Sequence, residues 1–139
     1  MVSVDTNVLL RATLAEPGLE NESRAAQQFL ASNRQTIVIC DLVIAEYVHA
    51  LAAHYHLDRP FISELVLTIV QLPHIQCSTG IVTAALTHYV NKPKLSFEDC
   101  FIAEHARANR ALPLWTFDRK LAHQHESAAR LEGLEPPTF

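Results

Sequence analysis

Short β-prone runs alternate with longer helical patterns along this chain, and that alternation restricts the possible folds more than any other feature. Residues 2–5 read as a short strand, residues 36–40 (Thr-Ile-Val-Ile-Cys) as a buried one and residues 75–77 as a weak one. Residues 112–117 read as a last strand, which contains Pro113. The segments between them are helical and carry recognisable punctuation. A helix starts near Thr6 and Asn7 and breaks at Pro17-Gly18, and residues 22–32 are polar, Ala-rich and helical. Asp41 can cap a helix to about His56, and Asp58 another that starts at Pro60 and ends before Pro73. Ser78 or Thr79 opens a helix to about Val90, Ser96 caps one to about Asn109, and residues 119–125 form a short final helix, with no clear strand after His125. Strand–helix–strand alternation with helices of ten or more residues implies a parallel sheet covered on both faces. The expectation is an α/β fold: a three-layer α/β/α domain with a central, mostly parallel sheet.

The sequence reads as one domain over residues 1–130 and a loose tail over residues 131–139, which is rich in proline near its end. Apolar residues make up 49% of the chain, which suffices for one core. No apolar run approaches the roughly 18–20 residues of a membrane span. The opening Met-Val-Ser-Val-Asp has no basic stretch ahead of an apolar one, so no signal peptide is expected. Cys40, Cys77 and Cys100 are far apart, with no C-x-x-C pair, and are expected to be reduced, mostly buried thiols of a cytoplasmic protein. The net charge of −4 argues against a broad basic face that coats nucleic acid. It leaves room for an enzyme that grips a few phosphates locally.

Four carboxylates stand in apolar company. Asp5 ends the first strand, and Asp118 follows Leu-Trp-Thr-Phe at the end of another. Glu46 is the lone charge in Leu-Val-Ile-Ala-Glu-Tyr-Val, and Asp99 precedes Cys-Phe-Ile-Ala in the first turn of its helix. Ligands of open α/β sheets bind outside the carboxyl ends of the strands, and all four acids are expected at successive positions along that edge. Like charges so gathered repel: two of them ~4 Å apart cost roughly 4 kcal/mol at an effective dielectric near 20. Protons or a hard divalent ion can offset that, and Mg²⁺ and Mn²⁺ prefer carboxylate and water oxygens. Taken singly, Asp5 and Asp118 could be ordinary helix caps and Asp99 could merely favour a helix dipole. Glu46 is harder to dismiss, because an acid on an apolar helix is costly unless paired or at a cavity.

In order and spacing, these segments resemble the PIN-domain nucleases, above all the VapC-type toxins of bacterial toxin–antitoxin pairs. Asp5-Thr6-Asn7 followed by Val-Leu-Leu-Arg resembles their opening motif, and Glu46 in Val-Ile-Ala-Glu-Tyr their second acid. Ser96-Phe-Glu-Asp-Cys-Phe-Ile-Ala resembles the helix carrying the third, and Leu-Trp-Thr116-Phe-Asp118-Arg-Lys-Leu the closing Thr-x-Asp motif. The match spans about residues 1–121. Cys100 stands where a small residue is common, and Leu121 where an aromatic one often stands. The resemblance implies a Mg²⁺ or Mn²⁺ site, endoribonuclease activity leaving 3′-hydroxyl and 5′-phosphate ends, and a toxin homodimer neutralised by a small antitoxin protein. Asp5, Glu46, Asp99 and Asp118 would hold the metal and do the catalysis, with Asn7 and Thr116 holding the carboxylates from behind. Arg11, Lys92, Lys94, Arg119 and Lys120 flank the acids and are candidate contacts for RNA phosphates, although any one of them could be solvated surface charge.

Other constellations fare worse. His54-Tyr-His56 and His123-Gln-His125 suggest zinc, but no cysteine stands at ligand spacing. Glu46-Tyr-Val-His49 matches a di-iron motif, but a second copy is absent. An aspartyl-phosphate phosphatase would want a second Asp where Asn7 stands. Two rivals share the fold: a PIN-like nuclease of RNA processing without an antitoxin, and a non-catalytic PIN-like binding module. A short upstream open reading frame overlapping this one would separate a toxin from the first rival; a pure binder has no use for four clustered acids, and a metal titration separates it from an enzyme.

Overall fold

A computed structural model describes residues 1–131. The expected tail over residues 131–139 falls, apart from Leu131, outside the described residues. The chain divides into two compact units, Met1–Thr79 and the residues from Gly80 onward.

The first unit runs β1 (Val2–Ser3), α1 (Thr6–Thr13), α2 (Glu20–Ser32), β2 (Ile37–Val38), α3 (Asp41–Ala53), α4 (Arg59–Val70) and β3 (Ile75–Gln76). Its sheet has the order β1-β2-β3 and is parallel throughout, with Val2 opposite Ile37 and Ile37 opposite Ile75. The central strand is the Ile-Val-Ile run, and Ile37 and Ile39 are both buried. Hydrogen bonds from Ile37 N–H to His74 O (2.8 Å) and from Ile39 N–H to Gln76 O (3.0 Å) carry the pairing past the two-residue ladder. Asp58 caps α4 as its sequence predicts, accepting from Phe61 N–H at 2.9 Å, with Pro60 in the first turn where a missing N–H costs nothing. The cap of α3 is Cys40 rather than Asp41, which sits in the first turn and favours the helix dipole there.

The second unit runs α5 (Thr79–Asn91), α6 (Phe97–Ala108), β4 (Leu114–Thr116), α7 (Arg119–Gln124) and β5 (Ala128–Arg130). Val82, Ala85, Leu86 and Tyr89 form the buried stripe of α5 at helical spacing. Tyr89 meets Phe97 of α6 edge to face, ring centroids 6.0 Å apart. Arg110, in the left-handed region with φ 55°, ends α6 and turns the chain toward β4. The strand β5 fills the edge that the sequence left unclear after His125: it pairs with β4 in parallel, Trp115 opposite Ala129, by way of α7.

The α/β class with parallel pairing is the one expected from the alternation. Two further expectations fail. Of the thiols only Cys100 is buried; Cys77 is partly exposed and Cys40, at the head of α3, is exposed. The acids do not all follow successive strands either, because α6 succeeds α5 with no described strand between them, so Asp99 stands at the start of the second of two consecutive helices. Among the described residues no helix is long and apolar enough to cross a membrane.

Candidate metal centre

Two of the four acids belong to the first unit. Asp5 leaves β1 with extended backbone and caps α1, its Oδ1 accepting from Thr6 N–H at 2.7 Å. The next side chain, buried Thr6, donates from Oγ1 to Glu46 Oε2 at 3.0 Å. A single residue therefore links Asp5 to Glu46. The helices that carry them are tied again further along. Tyr47 of α3 donates to Thr13 Oγ1 of α1 at 2.9 Å, and Thr13 donates on to Leu9 O at 2.9 Å. Burial pushes the Tyr47 phenol up to about 12, so it remains a proton donor throughout the physiological range. Glu46 itself is exposed at the surface of α3, which removes the desolvation cost an acid on an apolar helix would otherwise carry.

The other two acids lie in the second unit, each built into a helix start. Asp99 completes a capping box: its N–H donates to Ser96 Oγ at 3.1 Å while its Oδ2 accepts from Ser96 N–H at 3.4 Å. Asp118 leaves β4 and caps α7, its Oδ1 accepting from Lys120 N–H (2.8 Å) and Leu121 N–H (3.2 Å). Thr116 Oγ1 accepts from the Asp118 backbone N–H at 2.9 Å, so it fixes the backbone beneath the acid rather than the carboxylate.

These bonds use one oxygen of each carboxylate. Asp5 Oδ2, Glu46 Oε1, Asp99 Oδ1 and Asp118 Oδ2 accept no hydrogen bond among the described residues. Each acid is thus held by one oxygen and offers the other. Asp5 and Glu46 offer such an oxygen in the first unit and Asp99 and Asp118 in the second, and carboxylate oxygen is the kind of donor that Mg²⁺ and Mn²⁺ prefer.

The supporting residues differ in part from those the sequence suggested. Asn7 is exposed and lines a 460 Å³ cleft with Val4, Val8 and Phe29; it bonds to no carboxylate among the described residues, and Thr6 does instead. Thr6 lies within the Asp-Thr-Asn motif, and a hydroxyl beside a capping acid was the signal for it. Arg11 is committed to Glu16 (3.0 Å) and Glu22 (3.2 Å), which neutralise it. Lys94, Arg119 and Lys120 are exposed, and Lys92 is half-buried.

A separate cluster in the second unit went unforeseen. His88 Nε2 and His125 Nε2 lie 2.9 and 3.1 Å from one oxygen of Glu104, which is 6% exposed. His54, His56 and His123 are exposed, so of the two suggested zinc pairs only His125 reaches a cluster. The polarity of its hydrogen bonds opposes metal binding. Ser127 N–H donates to His125 Nδ1 at 3.0 Å, which places the neutral ring's proton on Nε2, facing Glu104. A ligating histidine does the reverse, giving one lone pair to the metal and donating from the other nitrogen. The cluster is a hydrogen-bonded lock between α6 and the turn into β5. Burial, and then the neighbouring His88, hold His125 below its ordinary value near 6.5, with Lys92 adding to the effect and Glu104 opposing it. Because the unfolded chain then binds the proton more readily, this lock contributes its full stability above about pH 6.5 and loses it as pH falls below that. The melting temperature should drop between pH 7.5 and 5.5, and His125→Gln should flatten that profile; a wild-type profile flat over the same window would contradict the assignment.

The PIN domain family model matches residues 2–126. A comparison with curated proteins yields no match. With parallel α/β units, an acid at the carboxyl ends of β1 and β4, and a family match over most of its length, the chain belongs to the PIN domain family.

Proposed function

We propose that this protein is a Mg²⁺- or Mn²⁺-dependent endoribonuclease, the toxin of a type II toxin–antitoxin pair, with Asp5, Glu46, Asp99 and Asp118 as the metal ligands. The observation that carries the reading is the half-used state of all four carboxylates, each fixed through one oxygen with the other left open. A divalent ion held by such groups activates water and stabilises the leaving oxygen of a phosphodiester. The chain's own part is positional. Three of the acids are anchored to helix starts, which are rigid, and Thr6 orients the fourth. Lys94, Arg119 and Lys120 would grip phosphates, whereas Arg11 already has two carboxylate partners.

The antitoxin part of the proposal has support on the helices that bear the acids. Leu42 is exposed one turn before Glu46, and Ile102 is exposed one turn after Asp99. An apolar partner segment seated on either would also cover the acid. Residues 61–72 are apolar enough in sequence to supply a homodimer interface, but Ile62, Val66, Ile69 and Val70 are buried, and Phe61 is the large apolar residue of α4 left exposed.

The test is to incubate the purified protein with RNA in Mn²⁺ or in chelator and to map the ends. Internal cuts with 5′-phosphate ends, present with Mn²⁺ and absent with chelator, are expected. Cleavage that persists in chelator, or ends carrying a 2′,3′-cyclic phosphate, would overturn the metal-hydrolysis reading.

A further inference from the structure

The segment around β4 displays its aromatic side chains instead of burying them. Trp115 is 54% exposed and Phe117 is 70% exposed, at alternate positions immediately before Asp118. Burying a side chain of this size contributes about 1.5–3 kcal/mol, so a fold that leaves two of them in water on neighbouring positions calls for a reason. The surroundings supply one. Arg119 and Lys120 follow at once, both exposed and in no ion pair among the described residues, and exposed Arg110 precedes the strand. An apolar protein partner would gain nothing from these cations beside the rings. Polyanions carrying flat apolar faces would gain from both.

We propose that Trp115 and Phe117 form a stacking platform for unpaired bases of single-stranded RNA, with Arg119 and Lys120 holding the adjoining phosphates. Trp115 lies on β4 and Phe117 just past its end, two residues on, so the two rings are near neighbours that can take adjoining bases. Stacking requires bases free of a duplex, so the platform selects single-stranded or looped RNA over helical RNA. The inference rests on the ribonuclease reading for its biological role, since the platform abuts one of the proposed ligands.

Trp115 is the one tryptophan of the chain, so intrinsic fluorescence reports on the platform directly. The native protein, in chelator to prevent cleavage, is titrated with a short unstructured oligoadenylate and with an abasic oligomer of the same length. Saturable quenching by the oligoadenylate alone is expected. Trp115→Ala should weaken binding, followed by anisotropy of labelled RNA, by about 5- to 150-fold without changing its salt slope. Arg119→Ala with Lys120→Ala should lower that slope by up to about 1.4, roughly 0.7 per lost phosphate contact. RNA that binds or is cut while Trp115 emission stays unchanged would overturn the platform and leave the nuclease reading standing. Quenching without metal-dependent cleavage would do the opposite. Emission that shifts with protein concentration in the absence of RNA would mark the face as a contact between copies and overturn the proposal.

Discussion

Asp99→Asn should abolish RNA cleavage and leave the protein folded. Metal-assisted stabilisation of a transition state is worth several kcal/mol, so losing or misplacing the ion should lower the rate roughly a hundred- to a thousandfold. The structure makes this a clean substitution. Asp99 serves the capping box through Oδ2, and an asparagine amide oxygen can accept the same bond from Ser96 N–H. The fold should therefore lose only a few tenths of a kcal/mol, the size of one helix-dipole interaction. If Asp99 were only a cap, activity would survive with the fold. Full activity in a normally folded variant, measured on the same RNA, would remove Asp99 from the ligand set and with it most of the four-acid argument.

Mn²⁺ should raise the melting temperature markedly. An ion that binds the folded protein alone adds about 2.7 kcal/mol at a hundred times its dissociation constant. For a chain of this size that corresponds to a rise of roughly 8–13 °C. Asp5→Asn should remove most of the rise, since asparagine caps α1 as well as aspartate does but binds a hard cation far less well. A melting temperature that does not move across a Mn²⁺ titration would count against the metal centre.

What the sequence made legible follows local rules. The caps at Asp58 and Ser96 are dictated by side chains that bond to the backbone two or three residues on, and both stand where expected. The Ile-Val-Ile strand is legible because a short apolar run needs cover on both faces, which only a central parallel strand receives. The strand β5 was hidden because Ala128-Ala129-Arg130 has neither β-branched residues nor alternation; its pairing with β4 makes it a strand. Cys40 looked like a buried thiol in an apolar run, yet it is the capping position of α3, where the chain leaves the sheet.

The candidate site divides in the same way. The four acids stood out as an ordered set; singly, Asp5, Asp99 and Asp118 read as helix-start acids, and the structure puts each of them at a helix start. Thr6 and the His88–Glu104–His125 lock did not, because their meaning lies in contacts 40, 16 and 21 residues apart in the chain. One trace of the lock was present: Glu104 falls on the stripe of α6 defined by Phe97, Cys100 and Ala103, and an acid on a buried stripe needs a partner.

The central claim is that these carboxylates hold a divalent ion, and binding of Mn²⁺ itself tests it most directly. Electron paramagnetic resonance of free Mn²⁺, recorded as protein is added, counts the ion removed from solution without reference to RNA or activity. Wild type is predicted to deplete the signal saturably, and Asp5→Asn and Asp118→Asn each to weaken binding by roughly a hundredfold or more, exceeding the 10–100-fold lost when a mere supporting residue is removed. A wild-type protein that leaves the signal of free Mn²⁺ unchanged, or variants that bind as tightly as wild type, would contradict the account.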